Sequence, residues 1–168
     1  MPRASLAGYV VQQELEFGPG EVDDTGFGIK GWGSLGPNFF AHFEYQDIGG
    51  DIDSSQYRVG GGYWAPLGAG QGFWLSGEYV DYDGLDGLGV HLGGHSQLSE
   101  AVGVYGSLGF LDLEDEDNGG FEDDGLELLL GAEVALVPGM SLFAEFRNFD
   151  GDVVTIQDLH LGLNYYFY

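Results

Sequence analysis

The chain has 168 residues, which is an ordinary length for a single domain. Only four lysines and arginines oppose 28 aspartates and glutamates, and this balance argues against nucleic-acid binding, which needs clustered basic side chains. The lack of cysteine excludes disulfides and thiolate metal sites. No apolar run approaches the roughly 18 residues of a transmembrane helix. Met1 to Ser5 carry no apolar export segment, so we expect an export signal to have been removed.

Glycine and aromatic residues stand out in the rest of the composition. There are 32 glycines and only five prolines, and aromatic residues make up 15% of the chain. Glycine-rich sequence without aromatic residues is typical of disorder. Here the glycines are interleaved with Phe, Tyr, Trp, Val and Leu, and this mixture predicts many short strands.

Taken in chain order, two kinds of break divide the chain. Acidic segments, which together hold 19 of the 28 acidic residues and no Lys or Arg, lie at 21–24, 47–53, 81–86, 112–124 and 150–152. Short, nearly neutral breaks alternate with them at 35–38, 65–72, 98–100 and 137–139. We interpret the first kind as long acidic loops and the second as tight turns. Most of the ten segments left between the breaks have 8 to 12 residues, which suits tilted membrane-spanning strands.

Polar and apolar residues alternate along these segments with a period of two. From 126 to 137 the even positions are all apolar, whereas Glu127 and Glu133 lie on the odd face. The last segment likewise has Leu159, Leu161 and Leu163 on one face. The pattern predicts an all-β fold, an antiparallel up-and-down transmembrane β-barrel of ten strands, as one domain over residues 1–168. Eight strands are the alternative if one hairpin folds outside the membrane.

The composition of the polar face indicates which face of the barrel points outward. That face is mostly Gly, Ser, His, Gln and aromatic, with Lys30, Arg58 and Arg147 as its basic residues. Water-facing strands usually carry more Lys and other charges, so a soluble ligand-binding barrel is the less favoured alternative. Aromatic residues concentrate at the segment ends beside both kinds of break, which predicts two interfacial belts.

The last segment, Leu159 to Tyr168, carries a resemblance to a known group. Its apolar face ends on the aromatic Phe167, with Tyr168 added, and it resembles the C-terminal signal read by the barrel-assembly machinery. The chain as a whole resembles small Gram-negative outer-membrane β-barrel proteins, the porin and OmpA/OmpX-like group. The resemblance implies a monomer surrounded by outer-membrane lipid and lipopolysaccharide. It also implies periplasmic short turns and termini, and acidic loops on the outside.

The interior of such a barrel is the first candidate site. We expect these charged or titratable side chains to line the lumen: Glu14, Glu16, Lys30, His42, Glu44, Arg58, Glu78, His91, His95, Glu127, Glu133, Glu145, Arg147 and His160. Three basic residues cannot neutralise so many carboxylates, which favours a narrow, cation-preferring pathway. The alternative is a plug of hydrogen bonds and salt bridges, and we favour a plugged or very narrow lumen because ten strands enclose little space.

Two groups of residues are candidate metal ligands by residue type. His91 and His95 share a strand face but lie roughly 13 Å apart at 3.3 Å per residue, which is too far for one zinc ion. The acidic segment 112–124 resembles no EF-hand in its spacing but offers many carboxylate oxygens for weak Ca²⁺ or Mg²⁺ binding. The candidate ligands are Asp115, Asp117, Glu122, Asp123 and Asp124. The alternative is a solvated, self-repelling loop.

No arrangement of nucleophile and base emerges from the sequence. Ser96 and Ser99 near His95 form no recognisable triad, so we predict that the protein is not an enzyme and needs no organic cofactor. The leading hypothesis is an outer-membrane barrel with a narrow solute or ion pathway, or with a structural role in membrane integrity. The alternative is a surface interaction protein whose acidic loops bind divalent cations, lipopolysaccharide or a partner protein.

Overall fold

A computed structural model describes residues 4–50, 54–82, 84–115 and 121–168, without the side chains of Phe17, Asp115 and Phe121. The described residues form ten strands. These are β1 (Ala4–Phe17), β2 (Gly20–Ser34), β3 (Phe39–Gly49), β4 (Ser54–Gly68), β5 (Gln71–Tyr82), β6 (Leu85–Gln97), β7 (Val102–Asp115), β8 (Phe121–Val137), β9 (Met140–Gly151) and β10 (Val154–Phe167). Within the described ranges, no helix is long and apolar enough to cross a membrane.

The strands form one closed, up-and-down barrel. Each strand pairs in antiparallel fashion with its neighbours in sequence, and β1 closes the sheet against β10 from Ala4 opposite Phe167 to Phe17 opposite Val154. Closure leaves no strand edge whose backbone groups would be unpaired in hydrocarbon. The ten-strand prediction is confirmed, and the eight-strand alternative is wrong.

An apolar belt covers the outside of the barrel. Along β10, Leu159, Leu161, Leu163, Tyr165 and Phe167 are all about half exposed, while the side chains between them point inward. The outward positions become polar at one end of every strand, and these boundary residues are Gln12, Thr25, Asp47, Ser55, Asp81, Asp86, Asp112, Asp124, Asn148 and Gln157. The apolar-out, polar-in arrangement is that of a membrane barrel.

The acidic segments differ from the expected long loops. Residues 21–24 lie within β2, and Asp112 and Glu114 lie within β7. The first acidic hairpin needs only Gly18 and Pro19 between its strands, with Gly18 at a positive φ of 56°, where glycine avoids a steric penalty. The barrel wall therefore continues past the apolar belt as acidic strand ends.

The expected aromatic belts are only half correct. Next to the short turns, Phe39, Tyr63 and Phe73 point outward and are exposed, as a belt requires. Their sequence neighbours Phe40, Trp64 and Trp74 point the other way and line the lumen, because adjacent strand residues face opposite sides. Beside the acidic ends, the aromatic Phe149 lies inside the barrel, is 1% exposed and is not part of a belt.

Candidate functional site

A network of ion pairs crosses the barrel at mid-height. Arg58 of β4 donates hydrogen bonds to Glu78 of β5 and to Glu127 of β8, each at 2.8 Å. Arg147 of β9 donates to Glu44 of β3 at 2.7 Å. Arg58 and Glu78 lie on neighbouring strands, whereas β4 is four strands from β8 and β9 is four strands from β3. The bonds of Arg58 with Glu127 and of Arg147 with Glu44 therefore reach across the lumen.

The remaining strands join the same network. Lys30 of β2 donates to Glu145 at 2.7 Å, and Tyr9 of β1 donates to Glu44 at 2.6 Å. Tyr105 of β7 donates to the other oxygen of Glu145 at 3.0 Å. A ring nitrogen of His160 of β10 lies 3.1 Å from Glu145, and His91 of β6 lies 3.0 Å from Glu78. Each of the ten strands thus contributes a side chain.

Burial makes this pairing necessary. Glu127 and Glu145 are 1% and 3% exposed, and Arg58 and Arg147 are 5% and 6% exposed. A buried charge without a partner destabilises a fold by several kcal/mol. Each of the two guanidinium groups contacts more than one carboxylate. Two arginines can therefore pair with the larger number of carboxylates that the sequence places in the lumen.

On the acidic side of this network the interior is filled. Side chains from β5, β7, β9 and β10 form a buried apolar cluster of Val80, Tyr82, Leu111, Leu113, Phe149, Val154 and Ile156. The opposite wall supplies a buried amide layer, in which Gln13 donates to Asp158 at 2.9 Å and Gln46 donates to Gln56 at 2.7 Å. We call this filled half the plug.

On the other side of the network lies a cavity of about 1070 Å³. Its lining runs from Glu127 and Arg147 in the network to turn residues such as Pro37 and Pro138, so the cavity reaches the short-turn end of the barrel. We call it the vestibule. It is far larger than one water molecule, whose share of liquid volume is about 30 Å³.

Glycines on neighbouring strands keep the vestibule open. A β-carbon at Gly93 would lie 2.2 Å from the ring of Trp74, and one at Gly72 would lie 2.2 Å from the ring of Trp64. A β-carbon at Gly131 would meet the ring of Tyr105 at the same distance. These rings therefore lie against the wall where a side chain is missing, instead of standing across the lumen.

The structure places most of the expected lumen residues on the inward face. These are Lys30, His42, Glu44, Arg58, Glu78, His91, His95, Glu127, Glu133, Glu145, Arg147 and His160. All but Glu133 and His95 have an ion-pair contact with another member of that set. His95 instead packs against Trp64, with ring centroids 5.0 Å apart.

Glu14 and Glu16 do not line the lumen, contrary to the prediction from the sequence. They share the outward face of β1 with Leu6 and Val10, because the alternation of that strand places the odd-numbered residues inside. Glu14 lies beyond the apolar belt and near Glu21 and Asp23, with carboxylate oxygens within 4.8 Å of one another. Desolvation and these two neighbouring carboxylates raise the pKa of Glu14 above its ordinary value.

The expected cation ligands on the acidic segment are not brought together where they can be described. Asp117 and the side chain of Asp115 lie outside the described residues. Glu122 and Asp124 point outward, while Asp123 points inward and is 1% exposed. The oxygens of Asp123 accept hydrogen bonds from the backbone amides of 153 and 154 at 3.1 and 3.0 Å. Asp123 therefore holds the β9–β10 connection.

Two buried groups of side chains have the composition of a metal site. One is Glu44, Glu145 and His160, and the other is Glu78, His91 and Glu127. In the second group Arg58 already bonds both carboxylates, and in the first Lys30 and Arg147 bond them. The side-chain cations thus occupy the positions that a metal ion would need.

Sequence reasoning missed the aromatic lining of the vestibule. All three tryptophans of the chain, Trp32, Trp64 and Trp74, line it. The available signal was their parity along each strand, since Trp64 and Trp74 are an even number of residues from Arg58 and Glu78. The glycines beneath the Trp64 and Trp74 rings lie on neighbouring strands and can be identified only once the register is known.

Solved structures of other proteins share the fold of this chain. No family model and no curated protein matches the chain. An outer-membrane channel from Pseudomonas putida F1 is similar with a TM-score of 0.61 and 10% identity over 99% of this chain and 97% of that one. The KdgM porin in complex with disordered oligogalacturonate gives 0.53 and 9% over 97% and 99%. Ail, the attachment invasion locus protein of Yersinia pestis, gives 0.52 and 15% over 99% and 100%.

At sequence identities of 9% to 15%, the structural similarity shows a shared fold. The chain has the fold of an outer-membrane β-barrel. This agrees with the apolar belt and the polar interior, and the expected resemblance to that group is confirmed at the level of the fold.

Proposed function

We propose that this protein is an outer-membrane barrel with a closed lumen, which contributes to membrane integrity and surface charge rather than conducting solutes. The observation that carries the proposal is the plug together with the network below it. Of the two forms of the leading hypothesis, a structural role and a narrow pathway, the filled interior favours the first.

The plug is a barrier for a physical reason. Val80, Leu111 and Leu113 are fully buried and Phe149 nearly so, and the amides of the other wall already bond one another and Asp158. A hydrated ion that crossed the plug would therefore lose water with few free polar groups to replace it. The network adds a second barrier, because an entering ion would have to break buried pairs such as Arg58 with Glu127. Opening the plug or the network would therefore lower the stability of the barrel.

The proposed orientation puts the acidic strand ends outside and the short turns with both chain ends in the periplasm. The chain ends lie on the short-turn side, where Ala4 of β1 pairs with Phe167 of β10. From Leu159 to Phe167 the final strand presents an unbroken apolar outer face, which fits insertion by the barrel-assembly machinery. Closure within one chain fits a monomer in the lipid of that membrane.

Planar-bilayer conductance of the refolded protein tests the closed lumen. We expect wild type to give no discrete current steps. We expect conductance only when both barriers are removed, by Leu111→Gly, Leu113→Gly and Phe149→Gly in the plug together with Arg58→Gly and Glu127→Gly in the network. Resistance of the inserted barrel to protease and its circular dichroism establish folding for both proteins. Discrete, cation-selective steps from wild type that change in Arg147→Ala would overturn the proposal.

Binding of divalent cations, lipopolysaccharide or a partner by the acidic strand ends stays a prediction. It is supported by the cluster of Glu14, Glu21 and Asp23 and by the net charge of −24. Calcium titration of the refolded protein checks it: removing Glu21 and Asp23 with amide substitutions should lower calcium uptake. Unchanged uptake would count against this interpretation.

A further inference from the structure

We propose that the vestibule is a binding site for a small hydroxylated organic cation, of the amine or quaternary ammonium class. This inference goes beyond the closed lumen, since the vestibule lies on the short-turn side of the network and needs no path through the barrel. The case rests on the charge of the lining, on its aromatic faces and on its unpartnered polar atoms.

The charge of the vestibule favours a cation. Its lining includes five carboxylates and three basic side chains, an excess of two negative charges. The four deeper carboxylates each contact an arginine or lysine. The fifth, Glu133, has no basic partner in the described part of the chain and accepts hydrogen bonds from the hydroxyl groups of Ser141 and Tyr166. Glu133 is therefore the carboxylate left to pair with a ligand.

The walls favour an organic rather than a metal cation. Trp64 and Trp74 stack with ring centroids 6.4 Å apart and an interplanar angle of 20°, and they lie over Gly72 and Gly93. Both indole rings line the vestibule, and the negative face of an indole attracts a cation that has shed much of its water. A strongly hydrated metal ion would gain little from such walls.

Unpartnered atoms in the lining indicate a polar group on the ligand. Trp64 Nε1, His95 Nδ1 and Asn164 Oδ1 are buried and have no hydrogen-bond partner among the described residues, and all three residues line the vestibule. A buried donor without an acceptor costs free energy, so a ligand hydroxyl that accepts from Trp64 or donates to Asn164 would relieve that cost. A cationic head with a hydroxyl group satisfies all three features of the site.

Choline and its neutral isostere 3,3-dimethyl-1-butanol are the probes. Because all three tryptophans line the vestibule, tryptophan emission of the refolded protein in a zwitterion-free, non-ionic detergent reports on this cavity. We expect choline to change the emission saturably, with half-saturation on the order of millimolar. We expect the isostere, which has the same shape without the charge, to bind about tenfold more weakly.

Glu133→Gln isolates the carboxylate. Glutamine keeps an oxygen for Ser141 and Tyr166 but loses the charge, so we expect choline affinity to fall about tenfold. Glu100→Gln is the matched control, because Glu100 is exposed in a turn at the same end and does not line the cavity. It should bind choline as wild type does, and circular dichroism establishes the fold of both variants.

Equal responses to choline and its isostere would overturn the proposal, as would the absence of a saturable response. Unchanged choline affinity in Glu133→Gln would overturn it too, because the charge would then have no part in binding. These results are independent of the conductance test. A conducting wild type would contradict the closed lumen alone, whereas loss of choline binding contradicts only the vestibule site.

Discussion

Trp74 packs over Gly93 of the neighbouring strand, where a β-carbon would come within 2.2 Å of the indole ring. The same relationship joins Tyr105 to Gly131 across β7 and β8. Part of the high glycine content thus has a packing role: the missing side chain makes room for a ring on the next strand. The glycines therefore help to keep the vestibule open at the short-turn end of the barrel.

Gly93→Ala should disturb this packing. The new methyl group would displace the Trp74 ring into the vestibule, and overpacking of this kind typically costs about 1–3 kcal/mol. We expect lower stability in urea unfolding from lipid bilayers and a shifted tryptophan emission. Gly94→Ala is the control, because its β-carbon would point outward and meet only the Gly72 carbonyl oxygen, at 3.4 Å. Equal losses in the two variants would contradict the packing role.

Arg147→Met should be among the most damaging single substitutions. It removes the guanidinium that bonds Glu44 and leaves a buried carboxylate without that partner, which typically costs about 3–5 kcal/mol. The double variant Arg147→Met, Glu44→Gln should recover part of that loss, because the unpaired charge is gone. The free energy of unfolding of both variants checks this. A loss below about 1 kcal/mol in the single variant would show that the pair is not needed.

Leu161→Arg tests the apolar belt. Leu161 is 51% exposed on the outer face between Val10 and Ala144, and arginine at the centre of a bilayer typically costs about 2–4 kcal/mol in a membrane barrel. Gln157→Arg lies on the same face at the polar boundary and should cost about 0–1 kcal/mol. Similar costs at the two positions would mean that the apolar face does not contact lipid.

Asp123→Asn should loosen the β9–β10 connection. The substitution weakens the acceptor for the amides of Val153 and Val154, and hydrogen bonds to a charged group contribute about 1.5–3 kcal/mol. Hydrogen exchange at these two amides should become about tenfold faster. Asp124→Asn changes an outward, exposed neighbour and should leave their exchange as in wild type. If hydrogen exchange at these amides is unchanged in Asp123→Asn, contacts other than Asp123 stabilise the β9–β10 connection.

Glu14→Gln should stabilise the first hairpin at neutral pH. Desolvation and the carboxylates of Glu21 and Asp23 raise the pKa of Glu14 in the folded protein, so its ionised form destabilises the fold. That penalty is fully present above the raised pKa and disappears as the pH falls below the ordinary value of 4.5. Unfolding at several pH values should therefore show a gain for the variant at pH 7 that vanishes in acid. Glu100→Gln, at the opposite end, should show no such trend.

The sequence by itself determined the class of the fold, because alternation with a period of two and the spacing of the breaks are local properties. Over residues 126–134 of β8 and 159–167 of β10 the apolar parity assigned the side chains to the correct face. In β1 the same reasoning misplaced Glu14, since its outward face changes from apolar Val10 to polar Gln12 at the edge of the belt. Local parity alone could not show where the lipid ends.

Only the tertiary structure decided what the interior does. The contact of Arg147 with Glu44 joins residues 103 positions apart, and the apolar cluster of the plug joins side chains of four strands. Which charges pair and which glycine lies under which ring depend on strand register and on barrel closure. Strand register and barrel closure are both set by backbone pairing between distant segments, and the sequence of one segment does not reveal that pairing.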